Sequence, residues 1–280
     1  MKNLKMFCLS LEPKHYNFIK KLGYNPVGLG ENFFSSDWFS DKEGDNISNK
    51  NKYYGEYTFH YWLWKNYLDK INDEWIGFCQ YRKFWSFKNK NLFPNSLEEL
   101  EETVIKEVPS DYDDFEVLLG EESSVANLKA MKFLKRGLKL LIKKPSYTFN
   151  LFSKKKRNIK FHFDMWHGSI YLEKAIELLD SENKKDFNDF VINSSSFNPH
   201  NMFICKSKKM LQDYYSTVFP WLKRCEKEFG FENLVHWDDI RIYTFLAERF
   251  MSYWFQKNAK CKTMPIIFYD IKKDFNYKEL

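Results

Sequence analysis

The sequence lacks any apolar run as long as the roughly 18 to 20 residues that a membrane-spanning helix needs, so no transmembrane helix is predicted. Its first apolar stretch stops at Glu12 and Pro13, which predicts a buried strand and no secretory leader. The five cysteines are scattered and form no C-x-x-C pair. We therefore expect reduced thiols, a cytoplasmic protein and no structural zinc site.

Glycine-rich nucleotide loops are also missing. The ten glycines form neither G-x-G-x-x-G nor a P-loop, and the chain has no nucleophile elbow and no H-E-x-x-H. These absences argue against dehydrogenases, kinases, serine hydrolases and zinc proteases. Hydrophobic residues, by contrast, make up 44% of the chain and aromatic residues 19%. That composition excludes disorder and predicts a large core in one domain, residues 1–280.

Acidic residues are absent from one segment, 123–163, which holds 12 Lys and Arg. The rest of the chain has more acidic than basic residues, so a local anionic partner is predicted and nucleic acid is not. We interpret 123–163 as a basic amphipathic insertion within the domain. Its helix carries an apolar stripe of Leu128, Met131, Leu134, Leu138, Leu141 and Ile142. Residues 128–160 are predicted to lie on an anionic membrane surface, the alternative being a solvated helix packed on the body.

Strand-like and helix-like segments alternate along the chain. Strands are predicted at 5–11, 75–79, 115–119, 201–205 and 264–269, and residues 25–29 form either a second short strand or an extended loop. Helices are predicted at 53–68, 97–107, 128–142, 170–180, 184–192, 211–229 and 239–258, with Ser96 capping the second of them. Residues 32–51 are predicted to be a loop. This alternation predicts an α/β sheet with a helical, aromatic-rich C-terminal part.

The most informative stretch lies between Gly44 and Trp85. It reads GDNISNKNKYYGEYTFHYWLWKN and, after a polar break, WIGFCQYRKFW. A polar loop thus enters an aromatic helix, and a short buried strand ends in a Tyr-Arg-Lys cluster. This is an arrangement in which α/β enzymes hold a phosphorylated ligand beside the sheet.

The stretch resembles a family of bacterial glycosyltransferases of capsule, O-antigen and exopolysaccharide synthesis, long catalogued as a domain of unknown function. That family has a G-D-N-I-S loop, a C-E-L-T-x-x-Y-W-x-W-K-N helix and a G-L-x-H-Y-R-R-Y-F strand end. The matching residues are Gly44, Asp45, Asn46, Ile47, Ser48, Asn51, Glu56, Thr58, Tyr61, Trp62, Trp64, Lys65, Asn66, Gly77, Tyr81, Arg82 and Phe84. NMFI at 201–204 and RIYTFLAERF at 241–250 also resemble family segments. Gln80 and Lys83 depart from the pattern, where the family has His and Arg.

The resemblance implies a GT-A-like, Rossmann-type nucleotide-sugar domain that acts as a glycosyltransferase. The donor would be a UDP-sugar, with UDP-galactofuranose as the first candidate, and the acceptor a growing capsular polysaccharide or lipopolysaccharide, free or lipid-linked. The enzyme would then be cytoplasmic and peripherally bound to the inner membrane. Two alternatives stay open: a transferase of a modified phosphate group onto the same glycan, and a non-enzymatic glycan-binding assembly subunit.

Donor-binding residues are predicted at both ends of the motif. They are Asp45, Asn46, Ser48, Asn51, Tyr81, Arg82 and Lys83. A guanidinium such as that of Arg82 grips a diphosphate through paired, charge-assisted hydrogen bonds. The loop residues suit nucleotide binding and suit Asx turns or helix capping equally well.

Candidates for catalysis come from three other segments. His167, Asp164 and Asp238 are predicted as possible general bases, because His and Asp suit proton transfer near neutral pH. Asn201 and Glu56 are predicted to bind the acceptor. Glu56 interrupts an apolar helix and therefore needs a partner, for which a salt bridge to Arg82 is one hypothesis.

A divalent metal, Mg or Mn, is a further possible cofactor, with no ligand set established. Asp111, Asp113 and Asp114 superficially supply an Asp-x-Asp pair. They precede a predicted strand, whereas ligand-binding groups usually follow one, so a solvated strand entry is the preferred interpretation. Glu248 and Arg249 are predicted to form an internal ion pair.

Overall fold

The computed structural model describes residues 2–87 and 93–271. Its strands are β1 Lys2–Ser10, β2 Asn25–Gly28, β3 Phe39–Ser40, β4 Trp75–Gln80, β5 Lys83–Trp85, β6 Glu107–Val108, β7 Val117–Gly120, β8 Ser123–Ser124, β9 Ser196–Phe197, β10 Phe203–Cys205, β11 Cys261–Met264 and β12 Ile266–Phe268. Its α-helices are α1 Tyr16–Lys21, α2 Asn51–Tyr54, α3 Tyr57–Trp62, α4 Leu97–Thr103, α5 Ala130–Lys143, α6 Tyr147–Phe152, α7 Ile159–His167, α8 Tyr171–Glu177, α9 Ser181–Asn193, α10 Lys208–Phe229 and α11 Ile242–Asn258.

The main sheet follows the order β11-β7-β10-β4-β1-β2-β3. These strands run in one direction except β10, which is antiparallel to both β4 and β7. β5, β6 and β12 extend the sheet at its margins, and β8 and β9 form a separate pair. Because β1, β2 and β4 are parallel neighbours, their carboxyl ends meet at one edge. Ser10 pairs with Gly28 and Leu9 with Gln80 at that edge.

Both faces of the sheet are buried, as the apolar run of the first strand indicates. Phe7 and Leu9 belong to a large hydrophobic cluster with the aromatic helices α3, α10 and α11. Met6 and Cys8 belong to a second cluster, which includes Phe18 of α1. Successive residues of a strand point to opposite faces, so β1 supplies both clusters.

The aromatic helix predicted at 53–68 is interrupted. α2 ends before Gly55, which has a φ of 52° and joins it to α3. The chain continues as a π-helical turn, Leu63–Tyr67, and a 3-10 turn, Leu68–Lys70. A Cβ at Gly55 would lie 3.0 Å from the Thr244 hydroxyl oxygen, so both the backbone angle and the close packing favour glycine there.

The other predicted elements are largely confirmed, with shifted ends. Ser96 caps α4 by accepting a hydrogen bond from the Glu99 amide, as predicted. β3 forms inside the region predicted to be a loop. The strand predicted at 264–269 corresponds mainly to β12, and β11, which ends at Met264, was not predicted. The reason lies in pairing: β11 is parallel to β7, whereas β12 pairs with β5.

The basic segment has a small core of its own. Phe133 and Leu141 of α5 pack with Leu151, Phe161 and Met165. The apolar stripe predicted for this helix is therefore partly wrong, because Phe133 is buried while Met131, Leu138 and Ile142 are exposed. Gly137 breaks the helical geometry, and a Cβ there would lie 2.2 Å from the Met165 methyl carbon.

Candidate functional site

A cavity of about 360 Å³ opens at the edge where β1, β2 and β4 end. We name it the sheet-edge cavity. It is lined by Leu9, Ser10, Leu11, Leu29, Asn51, Gly55, Glu56, Gln80, Tyr81, Arg82, Lys83, Arg241 and Phe268. In open α/β sheets, ligands bind outside the carboxyl ends of the strands. Of the residues predicted to bind donor or acceptor, the cavity brings together Asn51, Glu56, Tyr81, Arg82 and Lys83.

Arg82 lies in the turn between β4 and β5, and its side chain is available to a ligand. Its guanidinium makes no hydrogen bond or ion pair with any described residue, and its Nε atom is buried without a partner. The guanidinium carbon lies 5.1 Å from the centre of the Tyr81 ring. A buried, unpaired cationic donor is costly unless a ligand satisfies it. Arg82 is therefore suited to receive an anion.

Glu56 lies on the cavity wall at the start of α3. One of its oxygens accepts a hydrogen bond of 2.9 Å from the side-chain amide of Asn201. Burial raises the pKa of Glu56, and the bond from Asn201 and the cation of Arg241 oppose that shift. The predicted ion pair between Glu56 and Arg82 is wrong: Asn201 takes the place of the expected partner.

The two acceptor-binding candidates meet at a strained turn. His200 and Asn201 both have positive φ, 81° and 52°, which is rare for residues other than glycine. The His200 amide donates to Glu248 at 2.6 Å, and its carbonyl accepts from Gln80 at 3.1 Å. Strained backbone of this kind persists where the surroundings fix it, and it concentrates at functional sites.

Lys83 and Glu248 are the charged residues next to the His200–Asn201 turn. Lys83 donates to the side-chain oxygen of Gln80 at 3.3 Å. Burial lowers the pKa of Lys83, while Glu56 and Glu248 oppose that shift. Burial, together with the cation of Lys83, lowers the pKa of His200 to about 3, so this imidazole is neutral at physiological pH. The predicted ion pair between Glu248 and Arg249 is confirmed.

The Gly44 loop lies outside the cavity lining. Asn46 accepts hydrogen bonds from the amide and hydroxyl of Ser48, and Asp45 exchanges hydrogen bonds with Asn66. A Cβ at Gly44 would lie 2.2 Å from the Asn66 side-chain oxygen. These hydrogen bonds stabilise the turn, as expected from the alternative interpretation of these loop residues as Asx-turn residues. A donor-binding role for Asp45, Asn46 and Ser48 stays a prediction.

The three predicted bases lie together in a different place, which we name the His167 depression. This depression of about 680 Å³ contains His167, Asp164 and Asp238 and shares no lining residue with the sheet-edge cavity. Asp164 accepts hydrogen bonds from Tyr147 at 2.6 Å and Lys160 at 2.9 Å. Their catalytic role stays a prediction.

His167 and Asp238 are also committed to protein partners. The Nδ1 of His167 lies 2.6 Å from the Asp238 carbonyl oxygen, so Nδ1 carries the proton and donates it. Burial, followed by the cation of Arg249, lowers the pKa of His167 to about 3. The Asp238 carboxylate pairs with Arg136 at 2.5 Å. An imidazole of such low basicity is a weak general base at neutral pH.

The residues present do not fit a carboxylate-bound metal. Among the described residues that line the cavity, Glu56 is the one carboxylate, and Arg82, Lys83 and Arg241 supply positive charge. Within residues 2–87 and 93–271, no three His, Cys, Asp or Glu side chains are grouped closely enough to hold a metal ion. A carboxylate oxygen of Asp113 lies 3.8 Å from the Nζ atom of Lys2, at the amino end of β1. The Asp111–Asp114 segment therefore lies at the edge of the sheet opposite the cavity.

Sequence reasoning missed four residues of this region. Gln80, Arg241, His200 and Glu248 all belong to the cavity or to the turn beside it. Gln80, Arg241 and Glu248 stand inside family-like segments and could have been assigned to the site there; Glu248 was predicted only as the ion-pair partner of Arg249. His200 depends on backbone geometry and on long-range contacts, for which one sequence carries no signal.

The comparisons with known proteins decide the family. Residues 9–259 match the model described as Domain of unknown function (DUF4422). The chain belongs to the DUF4422 family. The family named from the sequence motifs is thereby confirmed as a domain of unknown function, while the galactofuranosyl and capsule specifics are not tested by the match.

Solved structures show the fold of this DUF4422 protein. A structure titled as the bifunctional glycosyltransferase WbbM in its apo form is 21% identical, with a TM-score of 0.67. It covers 96% of this chain, and this chain spans 45% of WbbM. A core-mannan synthase A from Aspergillus fumigatus, solved with Mn and GDP, is 10% identical over 95% of this chain and 74% of that one, with a TM-score of only 0.33. The GT-A-like α/β fold is confirmed by the first structure. No protein of curated function matches the sequence.

Proposed function

We propose that the protein is a glycosyltransferase that moves one sugar from a nucleotide-sugar donor to a growing bacterial surface polysaccharide. The observation that carries this proposal is the sheet-edge cavity, where Arg82, whose guanidinium no described residue hydrogen-bonds, lines the same space as Glu56. The fold shared with WbbM supports it, because WbbM is titled a glycosyltransferase.

The cations hold and neutralise the donor diphosphate. Arg82 donates paired hydrogen bonds to phosphate oxygens, with Lys83 and Arg241 on the same wall adding positive charge. As the bond between the anomeric carbon and the diphosphate oxygen breaks, negative charge grows on the leaving group. Fixed cations in a partly dehydrated site stabilise that charge.

Glu56 takes the proton of the acceptor. The acceptor hydroxyl attacks the anomeric carbon, and its proton passes to the oxygen of Glu56 that Asn201 does not engage. A raised pKa makes the carboxylate a better base near neutral pH. Asn201 orients Glu56 and is itself fixed by the strained turn. Glu56 and Asn201, which the sequence assigned to acceptor binding, thus act together.

The finer identity of the substrates rests on the motif resemblance. A UDP-sugar, with UDP-galactofuranose first among the candidates, is the proposed donor. A capsular or lipopolysaccharide chain carried on lipid at the cytoplasmic face of the inner membrane is the proposed acceptor. A divalent metal is left out of the proposed mechanism because the cavity offers one carboxylate against three cations.

Donor identity and reaction type are tested together. Purified protein is screened by thermal shift against UDP-, GDP-, CDP- and dTDP-sugars, and the stabilising donor is then incubated with acceptor glycan. Glycosyl transfer releases the nucleoside diphosphate. The alternative phosphate-group transfer would break the bond between the two phosphates and release the monophosphate. Absence of any stabilising nucleotide sugar would overturn the proposal.

A non-enzymatic glycan-binding role has one observation in its favour. A second groove of about 400 Å³ is lined by aromatic side chains, among them Tyr61 and Trp64, beside Lys50 and Glu226. Aromatic faces and polar groups of this kind suit sugar stacking. Under this alternative, glycan alone would stabilise the protein, and nucleotide sugars would have no effect.

A further inference from the structure

The basic segment presents apolar side chains to solvent. Met131, Leu138 and Ile142 of α5 are 60%, 57% and 73% exposed, and Phe149 and Phe152 of α6 are 68% and 78% exposed. Leu138 and Ile142 are four residues apart in the helical stretch after Gly137 and therefore lie on one side of it, while Met131 is exposed before that break. The opposite side already packs on α7, so the exposed side chains are not the helix's contribution to the core.

Exposed cations alternate along the same segment with these apolar groups, and the Nζ atom of Lys156 lies 5.8 Å from the centre of the Phe149 ring. These cations are Lys132, Lys135, Lys139, Lys143, Lys154, Lys155 and Lys156. No acidic residue lies between positions 123 and 163 to neutralise them. We name the five apolar residues and these seven lysines the basic face.

An exposed tryptophan lies next to this face. Trp237, in the loop between α10 and α11, is 68% exposed. The guanidinium of Arg136 lies 4.6 Å from its ring centre, so this loop contacts the outer side of α5. The nearby Asp238 is paired with the same Arg136 and does not offset the lysines. Tryptophan prefers the region between lipid head groups and acyl chains.

Charge complementarity indicates which partner binds the basic face. Lysines on flexible stems match anionic head groups as point charges, while the aliphatic and phenyl side chains between them suit the acyl boundary. The face offers lysines and apolar groups but no carboxylate to pair with a basic partner. Within residues 2–87 and 93–271, no helix is long and apolar enough to cross a bilayer.

We propose that the basic face, with Trp237 at its side, docks on an anionic lipid bilayer. The helix α5 lies in the membrane plane, with its lysines at the head groups and Met131, Leu138 and Ile142 below them. This inference does not depend on the proposed glycosyl transfer, since it follows from exposure and charge alone. It differs from the sequence-based prediction in two ways: Leu128, Leu134 and Leu141, which are half-buried or buried, are left out, and Phe149 and Phe152 are added.

The charge is tested by cosedimentation with vesicles. Wild-type protein is mixed with phosphatidylcholine vesicles that contain or lack 30% phosphatidylglycerol, at low and high salt. Binding to the anionic vesicles alone, weakened by salt, is expected. Reversing Lys132, Lys135, Lys139 and Lys143 to Glu lowers the partition coefficient by about 100-fold or more, as loss of four surface cations predicts. The control variant Lys184→Glu with Lys185→Glu, exposed on α9, binds as the wild type does.

The apolar groups are tested separately. Leu138→Ser, Ile142→Ser and Phe152→Ser together reduce binding about 10-fold or more, while Phe33→Ser, at a position that is 87% exposed, does not. Circular dichroism checks that each variant folds. Equal binding to neutral vesicles, or none to either kind, would overturn the proposal. A dimer in analytical ultracentrifugation that the same triple variant dissociates would also overturn it, because a second copy would then cover the face.

Discussion

The sheet-edge cavity and the His167 depression both hold charged residues, but protein groups engage those residues to different extents. In the cavity, no described residue hydrogen-bonds to the guanidinium of Arg82, and one oxygen of Glu56 accepts a hydrogen bond from Asn201. In the depression, His167 and Asp238 are bound to neighbouring groups. One oxygen of Asp164 accepts two hydrogen bonds there, and its other oxygen is buried without a partner among the described residues. The depression is the larger, about 680 Å³ against 360 Å³. Under the proposed function, the availability of Arg82 and Glu56 to a ligand, more than the size of the cavity, distinguishes the proposed reactive site from the depression.

The cause of the difference is position in the fold. The cavity lies at the carboxyl ends of parallel strands, where the backbone turns away and side chains remain without neighbours. The depression lies where α5, α7 and the loop before α11 pack, so most of its polar groups are satisfied internally, with the buried Oδ1 of Asp164 as an exception. Substitutions test this comparison: variants in the cavity should lose activity, and variants in the depression should not.

The largest effect is expected for Glu56→Gln. Loss of the general base should lower kcat by about 100-fold or more with donor affinity nearly unchanged. Because Glu56 has no ion pair with Arg82, the variant should not lose stability. A steady-state assay with the identified donor and a melting curve measure both quantities. A variant that retains kcat would remove Glu56 from the mechanism.

Stability against pH gives an independent check on Glu56. Burial raises its pKa above the ordinary value of 4.5, so the folded state binds this proton more tightly than the unfolded state does. The wild type should therefore lose stability relative to Glu56→Gln as pH rises from 4.5 through that raised pKa. Chemical denaturation of both proteins across this range measures it; parallel curves would contradict the raised pKa.

The next effect is expected for Arg82→Ala. Its charge-assisted hydrogen bonds to phosphate are worth roughly 1.5–3 kcal/mol, so the Michaelis constant for the donor should rise about 10- to 100-fold. The melting temperature should stay unchanged, since Arg82 holds no side chain in place. Arg136→Ala, which removes an exposed and paired arginine, serves as the matched control. Equal losses in both variants would point to a general charge effect.

A third effect should appear in stability alone. Asp164→Ala leaves the Tyr147 hydroxyl and the Lys160 ammonium without their acceptor, which costs about 1–3 kcal/mol. The melting temperature should fall by several degrees while turnover at low temperature is preserved. If turnover falls instead and the melting curve does not move, Asp164 is catalytic as the sequence predicted.

The smallest effect is expected for His167→Gln. The pKa of His167 is already low, so the imidazole stays neutral across the working range and its replacement should change kcat less than about threefold. The acid limb of the pH–rate profile should keep its position, because it belongs to Glu56. If the acid limb of the pH–rate profile shifts in His167→Gln, then the general base is His167 in the depression and not Glu56 in the cavity.

The sheet was predictable because burial leaves a periodic pattern in the sequence. Two strands at the edge of the cavity, β1 and β4, were located from apolar runs, whereas β2 was predicted only as either a short strand or an extended loop. The break at Gly55 was not, because the aromatic pattern continues through it. Its cause is a contact with Thr244, far along the chain, which no local pattern records.

The site was only half predictable. Arg82 and Glu56 were found because the motif marks them, but their relationship was wrong: Asn201 holds Glu56 instead of Arg82. His167 was chosen for its residue type, and only the structure shows its ring stacked on Phe245, at 4.1 Å between ring centres, and bonded to a carbonyl. Whether a group already has a partner depends on tertiary contacts.

Calorimetric titration with UDP, GDP, CDP and dTDP tests the central claim, that the sheet-edge cavity is the nucleotide site, most directly. Wild type, Arg82→Ala, Arg136→Ala and His167→Gln are compared at one salt concentration. The account predicts that one of the four nucleotides binds the wild type and that Arg82→Ala binds it at least about 10-fold more weakly, with the other two variants unchanged. Normal binding by Arg82→Ala together with loss in His167→Gln would contradict it.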